Sequence, residues 1–394
     1  MKTTKVMIVF GVALVALLGL IVWLKVEGPT VKENNTSPVA TPPQIEKRTR
    51  LSPSTRSTNE AVTETNSPPV LKAADLYRKA FALLDALSDE EKGLLRDWRT
   101  NAVAPELCAK LKPIAELAHQ AGTNCDWGVR LAGFETKLPH LEQARQLARA
   151  LVWDAAHCRK DDAVGVGENL LAMLRVGQNS SGFVIGHLVN SAIQRTALEF
   201  LAENARSLPA AARAELLAAL SNSSYDEAFY QAMEQEAKGL ECEANRIANG
   251  TNSVEDLRKI FGDPSFANLS KEQFVAGMRE VATLEREYVA AIALPEAEYQ
   301  AWLTKRAAAQ QTNPLIGILM PVFDRVVEQA RAAVVQRAMA VAGLQVLTAG
   351  PSVLTQYLDP ASGQPFQYQP SATGFQLTSS FQINGKPVSL NFRQ

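Results

Sequence analysis

Residues 141–155 read LEQARQLARALVWDA. Leu141, Ala144, Ala148, Leu151 and Ala155 fall on one stripe of a 3.6-residue period, while Glu142, Arg145 and Arg149 fall elsewhere, which is the pattern of an amphipathic helix. Working outward, Val184, Leu188, Ala192 and Leu201 repeat the pattern, as do Val322, Val326, Ala330 and Val334. Ser88 followed by Glu91 spells a capping box, and Pro321 suits the first turn of a last long helix. Breaks at Gly122, Pro139, Gly177 to Gly182, Pro209, Asn249-Gly250, Pro264, Pro295 and Pro314 divide the Ala- and Leu-rich body, residues 71–349, into about ten helices. Leu141–Arg159 and Asp161–Val176, joined by Arg159-Lys160-Asp161-Asp162, look like one hairpin of a solenoid. No period of about 34 or 40 residues recurs, so an irregular bundle is favoured over a solenoid-like array.

After Gly350 the period changes to two. Pro365-Phe366-Gln367-Tyr368, Gly374-Phe375-Gln376-Leu377 and Val388-Ser389-Leu390-Asn391-Phe392 alternate, and Asn384-Gly385 is a favoured pair for a tight hairpin. Residues 350–394 therefore read as a small antiparallel β meander, which needs the preceding helix to pack against because three short strands are not stable alone. The expected fold class is mainly α, an irregular helical bundle or solenoid-like body with this C-terminal meander and one N-terminal transmembrane helix.

Residues 1–27 carry that anchor. Val6 to Leu24, VMIVFGVALVALLGLIVWL, contains no charge, and at about 1.5 Å per residue it spans about 28 Å, the hydrocarbon thickness of a bilayer. The run is longer than a signal-peptide core and lacks a small-residue cleavage site, which favours an uncleaved anchor over a cleaved signal. Lys2 and Lys5 before it place the N-terminus in the cytoplasm by the positive-inside tendency and the rest of the chain on the exported side. Gly28 to Val70 is rich in Pro, Ser, Thr and Asn with few large apolar residues, so it reads as a disordered tether. A flexible coil of that length reaches about 35–40 Å from the membrane.

The 394 residues are 46% apolar and carry 40 Lys and Arg against 41 Asp and Glu. Such balance gives no broad field for phosphates, so a nucleic-acid partner is not expected. The segment Asp359-Pro360-Ala361-Ser362-Gly363-Gln364-Pro365-Phe366-Gln367-Tyr368 resembles the Asp-Pro-x-x-Gly-x-Pro-x-x-Tyr tail of an uncharacterised family of membrane-anchored, exported bacterial helical proteins. Cys125-Asp126-Trp127-Gly128, Leu138-Pro139-His140-Leu141 and the Arg-Gln-Leu-Ala-Arg run at 145–149 are similar to that family's central block. The resemblance implies an exported helical protein and brings no activity or catalytic residue with it.

Of the four cysteines, Cys108 and Cys125 are nearest in sequence, and a disulfide between them across the Gly122 turn is a candidate staple; buried free thiols are the favoured reading, because an alanine-rich helical body of this size has core enough without staples. His119, His140, His157 and His187 have no metal-ligand spacing, and neighbouring His157 and Cys158 diverge by about 100° on a helix. There is no nucleophile elbow, phosphate loop or dinucleotide fingerprint, so no catalytic residue, metal or cofactor is expected. Glu199 with Glu203 and Glu241 with Glu243 read as solvated helix faces. Asp126, Trp127 and His140 form the candidate binding cleft, an indole, a carboxylate and an imidazole beside a loop. The blander reading has Trp127 plugging a gap between helices and Asp126 capping the next one. Taken together, these features point to a membrane-tethered module that binds a protein or envelope partner; an envelope hydrolase using carboxylates from distant helices is the alternative.

Overall fold

The computed structural model describes residues 72–100, 104–123, 125–129, 138–221, 225–251, 253–255, 269–292, 294–309 and 314–393. The span Val6 to Leu24 and the tether lie outside them. The body is helical and ends in a three-stranded sheet, the architecture expected from the periodicities.

The first half consists of α1 (Ala73–Asp85), α2 (Asp89–Leu94), α3 (Pro105–Gln120), α4 (Pro139–Trp153), α5 (Ala163–Asn179), α6 (Val184–Asn204) and α7 (Ala210–Ser221). Local chemistry sets their ends. Ser88 Oγ accepts from Glu91 N at 3.2 Å while Glu91 Oε2 accepts from Ser88 N at 2.9 Å, the expected box. Asp162 accepts from Gly165 N at 3.0 Å to start α5. Two glycines in α5 do more than weaken it. A Cβ on Gly165 would lie 2.2 Å from Asp162 Oδ2, and one on Gly167 would lie 2.9 Å from the Ala212 side chain, so α5 approaches its own cap and α7 too closely for anything larger.

Past Trp153 the helix widens into a π turn, Asp154–Cys158, closed by Arg159 N to Asp154 O at 2.9 Å. Asp154 is 2% exposed, and its Oδ2 accepts from Arg159 Nε at 2.7 Å and Asn169 Nδ2 at 2.8 Å. Asn169 also donates to Leu151 O and pairs with His119 Nε2 at 2.7 Å, so α3, α4 and α5 share one satisfied polar knot. The turn brings Cys158 to Cys108 on α3, Cα atoms 5.5 Å apart, where the two form a disulfide. This corrects both the candidate Cys108–Cys125 pair and the reading of four free thiols; among the four, only Cys125 and Cys242 are free. Helix packing, not nearness in sequence, selects the partner: α3 lies along the π turn, whereas the chain past Gly122 carries Cys125, a free thiol, away beside Trp127.

The second half is built from α8 (Tyr225–Ala248), α9 (Lys271–Ala291) and α10 (Glu296–Ala309). α8 and α9 form an antiparallel hairpin. Arg286 on α9 reaches both Glu234 at 3.0 Å and Glu241 at 2.6 Å on α8, and Arg279 reaches Asn245 at 2.8 Å. Ser270 and Gln273 make a second capping box at the start of α9. Glu241 stays on a solvated helix face while pairing with Arg286, and Glu199 and Glu203 both hold Arg99, at 3.1 and 3.0 Å; Glu243, expected on a solvated face, is buried.

One long helix, α11 (Pro314–Ala349), joins the halves. It begins at Pro314, so Pro321 lies inside it rather than at its start. Two apolar cores result: Leu315, Ile316, Val326, Val327 and Ala330 of α11 enter the second, while Ala332, Val335, Met339, Leu344 and Val346 enter the first. Residues Phe323–Ala349 are long and apolar enough to cross a bilayer by length and composition. In this fold the helix lies between protein layers, and Arg337 within it is buried, donating to Gln194 Oε1 at 3.0 Å and to the Leu220 carbonyl.

A 3₁₀ turn (Pro351–Gln356) leads to β1 (Gln367–Ser371), β2 (Gly374–Ile383) and β3 (Lys386–Arg393), antiparallel in the order β1-β2-β3. Asn384 (φ 51°) and Gly385 (φ 74°) turn the β2–β3 hairpin as expected. Phe375, Leu377, Phe392 and Leu390 face the C-terminal half of α11. A Cβ on Gly343 would fall 1.9 Å from Phe392 Cζ, so this glycine is what lets the sheet seat on the helix. Asp359, 1% exposed, organises the Asp-Pro-x-x-Gly segment: it accepts from Ala361 N at 3.0 Å, Ser379 Oγ at 2.8 Å and Ser380 N at 3.0 Å.

Candidate functional site

The site is assembled from the segment after α3, the start of α4 and the loop between α5 and α6. Arg175 on α5 donates to the carbonyls of His119 and Ala121, each at 3.2 Å, closing the C-terminus of α3 and aiming the chain through Gly122. Asn179 at the end of α5 donates to the Gly122 carbonyl at 2.9 Å and to Tyr77 Oη at 3.2 Å. These bonds, with Arg78 of α1 donating to the Trp127 carbonyl at 3.3 Å, hold residues 125–129 against α1.

Trp127 then packs inward. Its indole N–H donates to the Asn179 carbonyl at 2.7 Å. The ring stacks with His140 (centroids 4.6 Å, 17° between planes), Tyr77 (5.7 Å, 28°) and Phe81 (5.8 Å, 11°). Trp127 is therefore the plug of the blander reading, with its polar handle spent on the backbone. Asp126 caps no helix among the described residues; exposed at the rim, it accepts from Gly128 N at 2.8 Å and shapes its own turn, where Gly128 adopts φ 68°.

All three expected residues, Asp126, Trp127 and His140, nevertheless line one cleft of about 640 Å³, together with Thr123, Cys125 and the 178–183 loop. The loop is rigid for stated reasons. Ser180 Oγ donates to Val176 O at 2.9 Å, Ser181 Oγ to Gln178 O at 2.6 Å, and a Cβ on Gly186 would lie 2.0 Å from the Ser180 carbonyl oxygen. Gly182 is open, with nothing within 4 Å of a Cβ placed there.

Burial shifts the titratable groups around the cleft. His140 is 7% exposed, and burial lowers its pKa to about 4, so the imidazole is neutral at ordinary pH. Burial raises the Cys125 thiol to about 11, so it is not a nucleophile near pH 7. Burial likewise lifts the Tyr77 hydroxyl to about 12.

Sequence reasoning missed a second group of buried ionisable residues on α8 to α11. Glu285 is fully buried, neither carboxyl oxygen has a hydrogen-bond partner, and burial followed by the nearby Glu236 raises its pKa well above the usual carboxylate range. Burial also raises Glu236 to about 7, although its carboxylate accepts from Val184 N at the first turn of α6. Arg306 is 6% exposed, lies over the rings of Tyr288 and Trp302 at 4.4 and 5.2 Å, and pairs with Asp324. No spacing rule finds these residues, since a buried acid and a solvated one look alike in a helical string. Among the described residues, no three His, Cys, Asp or Glu side chains gather as a metal site. No family model, no curated protein and no solved structure matches the chain.

Proposed function

We propose that the chain is a membrane-tethered, extracytoplasmic helical module that binds a protein or envelope partner, and that the cleft beside Trp127 receives it. The observation that carries this reading is the cleft's chemistry: about 640 Å³ of shaped space whose histidine and cysteine are moved away from neutral pH, to about 4 and about 11. Such groups recognise by fit and hydrogen bonding rather than by moving protons. The Val6–Leu24 run supports the tether, and the Cys108–Cys158 disulfide suits an oxidising compartment outside the cytoplasm. The tail and central block similar to membrane-anchored exported proteins support the same placement.

A photoreactive residue at Thr123 in the full-length chain, irradiated in whole envelopes, should give a discrete adduct that the same residue at exposed Glu215 on α7 does not. Gly182→Trp, which fills the cleft, should suppress it. Identical adducts from both positions, or none from Thr123, would overturn the assignment. For orientation, a reporter that works only after export should be active when fused after Gln394.

The envelope hydrolase remains a second reading because one observation favours it: Glu236 and Glu285, from different helices, interact and are both held above the ordinary carboxylate pKa, a property of acid/base residues. Full burial of Glu285 weighs against it, since substrate has no access without opening of the α8–α9 hairpin.

A further inference from the structure

Much of the donor capacity of the Trp127 cleft is used inside the fold, while its acceptors are left over. Ser180 Oγ and Ser181 Oγ each direct their proton at a carbonyl, Val176 O and Gln178 O, so their lone pairs are what remains. The Trp127 N–H is committed to the Asn179 carbonyl. Asn179 Nδ2 donates to Gly122 O and Tyr77 Oη; because a carbonyl can only accept, the amide orientation is fixed and Asn179 Oδ1 is left to accept. Among the described residues nothing donates to that oxygen, although Asn179 is only 9% exposed.

His140 is 7% exposed and lines the same cleft, and among the described residues neither ring nitrogen has a hydrogen-bond partner. Neither these nitrogens nor Asn179 Oδ1 are sealed off; they keep accessible surface on residues that line the cleft. The neutral imidazole offers one donor and one acceptor. Asp126 carries the single formal charge among the lining residues. Arg78, the base whose field reaches Cys125, is bound to Asp75 at 2.8 Å and to the Trp127 carbonyl. The N-terminus of α6, where an anion would sit, already meets the Glu236 carboxylate at Val184 N. An anion entering here meets acceptors and a like charge, whereas a cation that only donates meets partners.

We propose that the cleft receives a lysine side chain of a protein partner, its ammonium donating to Asp126, Asn179 Oδ1 and His140 and its stem lying along Val129, Phe183 and Ala228. An ammonium has three donors and no acceptor, the complement of this surface, and its methylene stem suits an apolar wall. About 640 Å³ holds such a side chain with extended backbone on either side. The inference rests on the cleft being the partner site and names what the partner presents there.

The test is a ligand-detected NMR titration of the full-length chain in detergent with an acetylated, amidated Ala-Lys-Ala peptide and with its norleucine counterpart, which keeps the stem and lacks the ammonium. The lysine peptide should bind about tenfold or more tightly, as charge-assisted bonding implies. Asp126→Asn, which can still accept from Gly128 N, should remove most of that preference, and Glu215→Gln on the exposed face of α7 should leave it intact. Gly182→Trp should remove binding of both peptides. Equal binding of the two, binding of neither up to about 10 mM, or a preference that survives Asp126→Asn would each overturn the proposal. The lysine peptide should also suppress the Thr123 photoadduct. An adduct that persists in its presence would overturn the lysine assignment and leave the partner site standing, whereas no adduct with the peptide preference intact would retire the partner site and keep the lysine pocket.

Discussion

The two cores differ in their buried charges, although the first also leaves a buried donor unpartnered, the neutral Trp153 Nε1. In the first, Asp154, Asn169 and Asn179 are buried and all partnered, and a disulfide ties α3 to the π turn. In the second, the Glu285 carboxyl, Arg306 Nε and Nη1 and Arg331 Nη1 are buried without hydrogen-bond partners. A satisfied network rigidifies, while an unsatisfied one holds free energy that a proton or ligand can release. The first core frames the Trp127 cleft, and the second holds most of the unpartnered buried charge.

The strongest way to break this comparison is to remove the staple. Cys108→Ala opens a link between residues 50 apart in sequence and should cost about 4 kcal/mol by loop-closure entropy. In urea, the fluorescence of Trp98, Trp127 and Trp153 should report the loss before Trp302 on α10 does. If all four unfold together with an unchanged midpoint, the disulfide is not what distinguishes the first core.

A smaller effect is expected where the sheet meets α11. Gly343→Ala forces a methyl group into the Phe392 ring, which is 2% exposed and stacked on Phe375 at 4.9 Å, and should destabilise by about 2 kcal/mol through overpacking. A thermal melt unchanged by this variant would mean that the sheet shifts freely on the helix.

The gentlest probe sharpens the second core. Glu285 and Glu236 have raised pKa values in the fold, so the folded chain binds their protons more tightly than the unfolded one. Their stabilising contribution is complete below about pH 4.5, the unfolded range, and is lost as pH rises through about 7 for Glu236 and through the raised folded-state range of Glu285. Glu285→Gln, which has no proton to lose, should be at least about 1 kcal/mol more stable than the parent at pH 8 and no more stable at pH 4. Parallel stability curves for the two proteins between those pH values would sink the idea.

The helical body, the capping box at Ser88 and the Asn384-Gly385 hairpin were legible because each depends on neighbours within a few residues. The cleft residues were legible for a related reason. Asp126 and Trp127 lie only 14 and 13 residues before His140 in the chain, so little loop-closure entropy opposes their meeting. The Cys108–Cys158 pair was not legible, because the π turn that brings Cys158 to α3 arises from Asn169 and Arg159 converging on Asp154. Nor was the use of α11 by both cores, since an apolar helix carries no mark of which neighbour covers which end.

By itself, the sequence determined the composition of each segment and the periodicity of the described ones: an apolar run at Val6–Leu24, a Pro-, Ser- and Thr-rich stretch after it, amphipathic helices and a tail of period two. Periodicity, composition and turn chemistry act locally, and local forces suffice for that. Only the tertiary structure decided the disulfide partner, the division into two cores, the neutral imidazole of His140 and the unpartnered donor of Arg331. Those properties depend on which surfaces exclude water from one another, and that is settled when helices far apart in the chain come into contact.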